Sequence, residues 1–312
     1  MYPPIICLMG PTASGKSDLA LALATEFNGE IIAVDSATIY RYMDIGTAKP
    51  DLHTRQNIAH HLIDILDPPQ SYSAHQFALD AARHVDNITN RGKVPFLIGG
   101  TMLYFKALLS GFNDLPSANQ TLRAQLDEEA NRLGWPALHQ RLMSIDAELA
   151  MRLKENDAQR IQRALEVYML TGRPLSSFHQ DQKKTAWSGP VLSLALIPED
   201  RASLHQRIEL RFKQMLELGL EQELMALKER FALHADLPSM RCVGYRQMWQ
   251  YLEQEIDYQT MLSSGIFATR QLAKRQLTWL RSWPHLITLD PFRSETKSDL
   301  LSIVKPFISE HY

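Results

Sequence analysis

Residues 5–18 read IICLMGPTASGKSD, and the fold turns on them. Ile5–Met9 is an apolar run of strand length. Gly10 and Gly15 bracket four residues, Lys16 and Ser17 follow, and DLALALATEF continues at helical period. This is G-x-x-x-x-G-K-[ST] with a strand before it and a helix after it, a P-loop in its required context. Gly10, Pro11, Thr12, Ala13, Ser14, Gly15, Lys16 and Ser17 are therefore expected to hold a phosphate. Backbone N–H groups and the helix N-terminus form the anion nest, Lys16 adds a point charge, and Ser17 offers a hydroxyl to Mg²⁺. The loop specifies a phosphate and leaves open which molecule carries it.

Outward from the loop, strand and helix alternate. After Asn28-Gly29, Glu30–Val34 reads as a second strand ending on Asp35. SYSAHQFALDAARHVDNITNRG reads as a helix, with Ser73 and Gln76 as a capping box and Gly92 at its stop. KVPFLIGG is a third strand without a polar residue from Val94 to Ile98, as in a strand covered on both faces. The rhythm breaks after Leu109. From Pro116 to about His179 only helical patterns appear, including one that starts at an Asp157 N-cap. VLSLALIP restores strand character, one long helix is expected from about Ala202 to Phe231, and HLITLD is a last strand from His285. The expected fold is α/β, a P-loop NTPase-like parallel sheet core with an inserted all-helical domain. Residues 1–112 and 188–312 make the core, and residues 113–187 the insertion.

The chain has 312 residues, 45% of them hydrophobic and 22% charged, which suits a globular protein with a real core. A formal net charge of -2 does not announce a nucleic-acid partner. Two cysteines make neither a disulfide framework nor a metal cluster, and His60-His61 suits packing better than ligation. No signal peptide and no membrane span are read, so a cytoplasmic protein is expected. Basic residues do concentrate locally. Arg270, Lys274 and Arg281 fall within about 40° of one another on a helix. Arg160 and Arg163 share a face, with Arg152 and Lys154 upstream, and Arg241 and Arg246 flank Cys242, Val243, Gly244 and Tyr245. Clusters in separate segments suit a clamp around a polyanion. Trp279 and Trp283 fall on other faces and read as core or hinge residues.

A P-loop NTPase normally places a second acid at the end of a neighbouring strand to hold Mg²⁺. VPFLIGG ends in Gly99-Gly100-Thr101 without a carboxylate, and only EIIAVD delivers one, Asp35. At the carboxyl end of a strand beside the P-loop, Asp35 faces the ligand crevice. It can contact metal, accept a proton from a nucleophile, or cap the following turn. On residues alone a small-molecule P-loop kinase leads, and a P-loop protein that binds RNA as a switch is a further option.

The segments GPTASGKS, VDSATIY, MDIGTAKP, HHLIDILDP, IGGTMLYFKALL, NDAQRIQRALEVY, RFKQMLELGL, LPSMRCVGYRQ and ATRQLAKRQLTWLR together resemble the tRNA dimethylallyltransferase (tRNA isopentenyltransferase) family, nearly end to end. The resemblance implies that the loop holds the pyrophosphate of dimethylallyl pyrophosphate, with Mg²⁺ on Ser17. It further implies prenyl transfer to N6 of the adenine 3′ of the anticodon, in tRNAs reading codons that begin with U. It makes Asp35 the general base, Arg211 a second clamp on pyrophosphate beside Lys16, and Thr12 and Thr101 channel residues. Contacts to the tRNA anticodon stem-loop are implied at Asp35, Ser36, Ala37, Thr38, Thr101, Arg123, Gln159, Arg160, Ile161, Gln162, Arg163, Arg241, Cys242, Val243, Gly244, Tyr245 and Arg246. A monomer without a membrane partner is expected. Thr38 stands where many members carry Gln, and Ser17 where Thr is commoner.

Overall fold

The computed structural model describes residues 2–111, 115–116, 118–180 and 186–312. Its strands are β1 (Ile5–Met9), β2 (Gly29–Val34), β3 (His60–His61), β4 (Val94–Gly99), β5 (Val191–Leu196) and β6 (Ile287–Leu289). Among the described residues they form one sheet in the order β3-β2-β4-β1-β5-β6, every neighbouring pair parallel. β1, β2 and β4 are buried along their whole length with no alternation. Their sequences are nearly continuous apolar runs because helices cover both faces of a parallel sheet. Helix α1 (Lys16–Glu26) and the C-terminal helix share one core with the sheet, in which Ile6, Leu8, Leu23, Phe96, Leu196 and Leu300 meet.

Helix α2 is Leu52–Asn57, and α3 (Ala74–Asn90) opens on the expected Ser73–Gln76 capping box. Phe77, Ala81, Val85 and Ile88 lie on its buried face, spaced at three and four residues as a helix packed on a sheet requires. Helix α4 is Met102–Ser110. After β5, the one long helix expected from Ala202 to Phe231 is two, α10 (Arg201–Glu217) and α11 (Leu220–Arg230). Gly219 sits between them at φ 101°, a left-handed conformation that only glycine adopts readily, and it turns the chain. Helices α12 (Tyr245–Leu252) and α13 (Tyr258–Arg281) follow. Ile39, Tyr40 and Met43 pack with Phe212, Leu224, Tyr245 and Met261 in a second core. The strand expected from His285 begins only at Ile287, since His285 itself adopts φ 49°. Helix α14 (Thr296–His311) completes the chain.

The chain divides into two compact units, one of residues 1–109 and 187–312, the other of residues 110–186. The boundary expected after residue 112 falls outside the described residues. Trp187 belongs with the first unit, where its N–H donates to Leu109 O at 3.2 Å and its indole stacks on Tyr2 at 4.5 Å. Among its described residues the second unit's regular elements are all helices: α5 (Gln120–Leu133), α6 (Trp135–Ile145), α7 (Ala147–Ala150), α8 (Ala158–Thr171, opened by the Asp157 cap) and α9 (Leu175–Gln180). Its core gathers Leu126, Leu138, Leu142, Ile161 and Leu165. One fully buried carboxylate, Glu166, ties this unit together. It accepts from Arg123 Nε at 2.9 Å and Nη2 at 3.0 Å, from Arg163 Nη1 at 2.7 Å and from Asn119 N at 2.8 Å.

Burial alone would raise the Glu166 pKa, but Arg123, Arg163 and the Asn119 amide outweigh it and hold the carboxyl below its ordinary value. A carboxyl with a lowered folded-state pKa contributes stability above its unfolded pKa and loses it as pH falls through the folded one. Glu166→Ala, which strands two arginines, is expected to destabilise this unit by on the order of 3 kcal/mol. Thermal melts of the full chain from pH 7 down to pH 3 check both points. Wild type should lose stability in the acid limb, and the variant should show a flatter limb.

Candidate active site

Register brings the candidate site together. Met9 lies beside Gly99, and Gly99 beside Val34, so Gly10, Gly100 and Asp35 leave the sheet at one level. This is the carboxyl edge, where open α/β sheets bind ligands.

The P-loop connects β1 to α1 with Ala13 at φ 63° and Gly15 at φ 81°. Left-handed residues among ordinary neighbours turn successive N–H groups to one side, which is the geometry of an anion nest. Lys16 reaches back across the loop, its Nζ donating to Pro11 O at 2.5 Å and to Ser14 Oγ at 3.4 Å. Burial, then the charge of Arg211, pull the Lys16 pKa down to about 7, and Asp35 offsets part of that pull. Arg211, on α10, is lowered in its turn by burial and by Arg207, and raised by Asp35. Lys16, Arg207, Arg211 and Asp35 thus form one electrostatic cluster. Its three basic side chains face one carboxylate, which is the balance an anionic ligand completes.

Asp35 half-emerges at the end of β2. Its Oδ1 accepts from Ala37 N at 2.8 Å and from Thr38 N at 3.3 Å, so the turn-capping role is present. Capping orients the carboxyl and still leaves Oδ2 for other partners. Thr101 Oγ1 accepts from Ser36 N at 3.1 Å, joining the β4–α4 turn to the Asp35 turn. Thr38 Oγ1 is buried with no hydrogen-bond partner. Tyr104 and Cys242 both feel the Asp35 charge, and burial first and then that charge push the Cys242 thiol up to about 12. That thiol is no nucleophile at neutral pH.

The other residues expected to touch RNA fall into distinct environments. Gln159 and Arg160 are exposed, and Arg160 pairs with Asp157 at 2.8 Å. Gln162 donates to Asp127 at 2.7 Å. Arg123 and Arg163 are the partners of Glu166 and remain partly exposed. Ile161 is fully buried in the helical core, so its side chain faces no RNA. Arg241 and Arg246 are exposed, with Arg241 at 3.3 Å from Asp236, while Val243 is half-buried. Cys242 Sγ donates to Pro238 O at 3.6 Å. Tyr245 is fully buried beside Gly244, with its hydroxyl on Glu223, and is therefore a core residue as well. Arg270 of the expected basic face pairs with Glu209 at 3.0 Å. Trp283 packs edge-on to Phe105, as a core residue would, whereas Trp279 is a third exposed under Lys106.

Three side chains that the sequence reading passed over support this framework. Arg207 Nε donates to Ala13 O at 3.1 Å. Gln276, on α13, touches both Thr12 and Gly100. Glu223 accepts from Asp44 N at 2.8 Å, Ile45 N at 2.7 Å and Gly46 N at 3.1 Å, pinning the MDIGTAKP turn to α11. These contacts link residues more than 170 positions apart. No local signal announces them, although Gln276 and Glu223 are polar groups on otherwise apolar helix faces.

Among the described residues no three His, Cys, Asp or Glu side chains gather as a metal site. The exposed Ser17 hydroxyl at the start of α1 fits a cation that arrives on a diphosphate, which brings its own oxygen ligands. His60 and His61 are structural, bonding to Ile58 O and Glu30, each at 2.7 Å. No helix among the described residues is long and apolar enough to cross a membrane.

Comparison with known proteins matches residues 38–283 to the family described as IPP transferase. The chain belongs to the IPP transferase family. It is 56% identical over 299 residues to the tRNA dimethylallyltransferase of Aromatoleum aromaticum, covering 95% of this chain and 93% of that one. It is 51% identical over 312 residues to that of Burkholderia ambifaria, covering 98% and 96%. Among solved structures, the full-length tRNA isopentenylpyrophosphate transferase of Bacillus halodurans superposes with a TM-score of 0.71 at 33% identity, covering 100% of this chain and 98% of its own. A eukaryotic dimethylallyltransferase acting on tRNA does so with a TM-score of 0.78 at 27% identity, covering 100% and 81%. The parallel-sheet core is thus that of the family, and the kinase reading, which led on residues alone, gives way.

The Lys16 environment has a measurable consequence. A lysine with its pKa near 7 is largely neutral at pH 8 in the free loop, and a bound diphosphate draws a proton onto it. Diphosphate binding at pH 8 should therefore take up protons, and affinity should fall as pH rises above 7, by at most about tenfold per pH unit. Calorimetry of pyrophosphate binding in buffers of different ionisation enthalpy measures the uptake. Lys16→Ala should abolish it.

Proposed function

We propose that this chain transfers a dimethylallyl group from dimethylallyl pyrophosphate to N6 of the adenosine 3′-adjacent to the anticodon, in tRNAs reading codons that begin with U. Pyrophosphate is released and N6-isopentenyladenosine is formed. The observation that carries the reading is the site itself, a P-loop whose cationic cluster opposes a single strand-end carboxylate, in a chain of this family. We place its action in the cytoplasm and expect a monomer to suffice.

In this reading the diphosphate lies in the nest of Gly10 to Ser17, with Lys16 and Arg211 on its oxygens. N6 attacks carbon 1 of the prenyl group, the carbon–oxygen bond breaks, and negative charge grows on the leaving oxygens. Cations fixed in advance around those oxygens stabilise that charge more than they stabilise the bound donor. Mg²⁺, when carried in on the diphosphate and held by Ser17, supplies further charge neutralisation. The amine lone pair is delocalised into the ring, so the nucleophile gains from a base, and Asp35 accepts its proton. Thr12 and Thr101 line the channel between the two reactants. A flipped adenine is inexpensive to present from a single-stranded loop. The exposed Arg160, Arg241 and Arg246, with the partly exposed Arg123 and Arg163, are proposed as contacts to the stem-loop backbone.

An anticodon stem-loop RNA incubated with protein, Mg²⁺ and either dimethylallyl pyrophosphate or ATP, then read by mass spectrometry, tests the proposal. One prenyl unit gained on the loop adenine with the pyrophosphate donor alone is the expected result. ATP consumed without a prenylated product would restore the kinase. Asp35→Ala should lower turnover by about 10²–10⁴-fold with RNA affinity within a few-fold, and surviving turnover would remove Asp35 as the base.

A further inference from the structure

Gln276 lies on α13, 264 residues from the P-loop in sequence, with its side chain buried. Its Oε1 accepts the Thr12 N–H at 2.9 Å, and its Nε2 donates to Gly100 O at 3.0 Å. Both ends of the amide are thus committed, one to the loop that follows β1 and the other to the turn that follows β4. The space is shaped for it, since a Cβ at Gly100 would fall 2.3 Å from Nε2. From that turn the connection continues. Thr101 N donates to Val34 O at 3.1 Å, and Thr101 Oγ1 accepts from Ser36 N at 3.1 Å, on either side of Asp35.

A primary amide offers an acceptor and a donor side by side at any pH, as a carboxyl does only when protonated. The site needs both here, because Thr12 presents an N–H and Gly100 a carbonyl. Adjacent strand ends in a parallel sheet are held in register by the ladder, but the loops beyond them are not. The amide extends that register past the end of the sheet. The bond also removes the Thr12 N–H from any ligand. Pro11 has no N–H, so neither Pro11 nor Thr12 offers a phosphate a backbone donor.

From these contacts we infer that Gln276 is a positioning residue, whose amide sets the spacing between the diphosphate loop and the Asp35 turn and so aligns the prenyl donor with the acceptor amine. The inference rests on the function proposed above. Misalignment of reacting groups by about 1 Å can cost on the order of 10²-fold in rate. Gln276 touches no reacting atom, so its loss acts on the chemical step and leaves RNA binding alone.

The test is the single-turnover rate of stem-loop prenylation with both substrates saturating. The fraction of folded enzyme then sets the amplitude, and alignment sets the rate constant. Gln276→Met keeps the volume and loses both polar ends, and its rate constant should fall by at least about tenfold with the RNA dissociation constant within twofold. Gln276→Glu separates alignment from folding. The introduced carboxyl accepts from Thr12 at any pH but donates to Gly100 O only when protonated. The ratio of its rate constant to that of wild type should therefore rise as pH is lowered, and the wild-type profile has no counterpart to that rise. A wild-type rate constant in Gln276→Met, or a pH-independent ratio in Gln276→Glu, overturns the inference. The Gln276→Glu arm stands even if Gln276→Met fails to fold. Absence of prenylated product from wild type instead overturns the function proposed above, so the two failures are distinct.

Discussion

Three basic side chains, Lys16, Arg207 and Arg211, converge where β1 ends, and the Asp35 carboxylate is coupled to Lys16 and Arg211. The rest of the first unit is arranged around keeping that cluster in place. Burial first, and then the like charge of Arg211, pull the Lys16 pKa far below that of a free lysine. The fold supplies the restoring forces. A strand buried on both faces fixes the base of the loop, Arg207 and Gln276 grip its backbone, and α10 carries Arg211. Ligand charge then enters a field already built for it, so little reorganisation is needed when charge shifts during reaction.

How much of this could be read from the chain follows from the range of each interaction. The P-loop is legible because its glycines, lysine and serine are contiguous and their order carries the mechanism. The core strands are legible because double-sided burial forces continuous apolar runs. The break at Gly219 is not, since an isolated glycine in a helical pattern is tolerated and only tertiary packing decides that the chain turns there. Gln276 and Glu223 act across 176 to 264 residues of sequence, and propensity holds no information about such pairs.

Arg123 and Arg163 mark a different limit. Arg163 reads, with Arg160, as part of a surface for a polyanion and Arg123 is implied by the resemblance alone, and the structure gives both an acidic partner inside their own unit. The clue lies in the sequence all the same, because Glu166 follows Arg163 by three positions on the same helix face. A carboxylate with no exposure that spends its lone pairs on two guanidinium groups and one amide orients both arginines rigidly. In the proposed function, nitrogens left over after such pairing would meet phosphate from fixed positions. Ile161, between them in sequence, supplies the core contact that holds the helix on its neighbours.

The site also explains how a P-loop can serve without the second carboxylate that nucleotide hydrolysis normally requires. Cleaving a phosphoanhydride needs a metal fixed rigidly against the terminal phosphates and a water held in line, and the strand-end acid anchors that arrangement. Breaking a carbon–oxygen bond to an allylic diphosphate asks less of the metal, because phosphorus is not attacked and the charge simply collects on a leaving group already in the nest. The acid is then free for another task. In this chain the strand after β1 that could have carried a metal-anchoring carboxylate, β4, ends instead in Gly99-Gly100-Thr101, whose backbone is taken up by Val34 and Gln276. The carboxylate stands one strand further out, at Asp35, with one oxygen committed to its own turn. In the proposed reaction, that displacement sets the acid apart from the diphosphate and on the side of the acceptor amine, the place for a proton acceptor and not for a metal anchor.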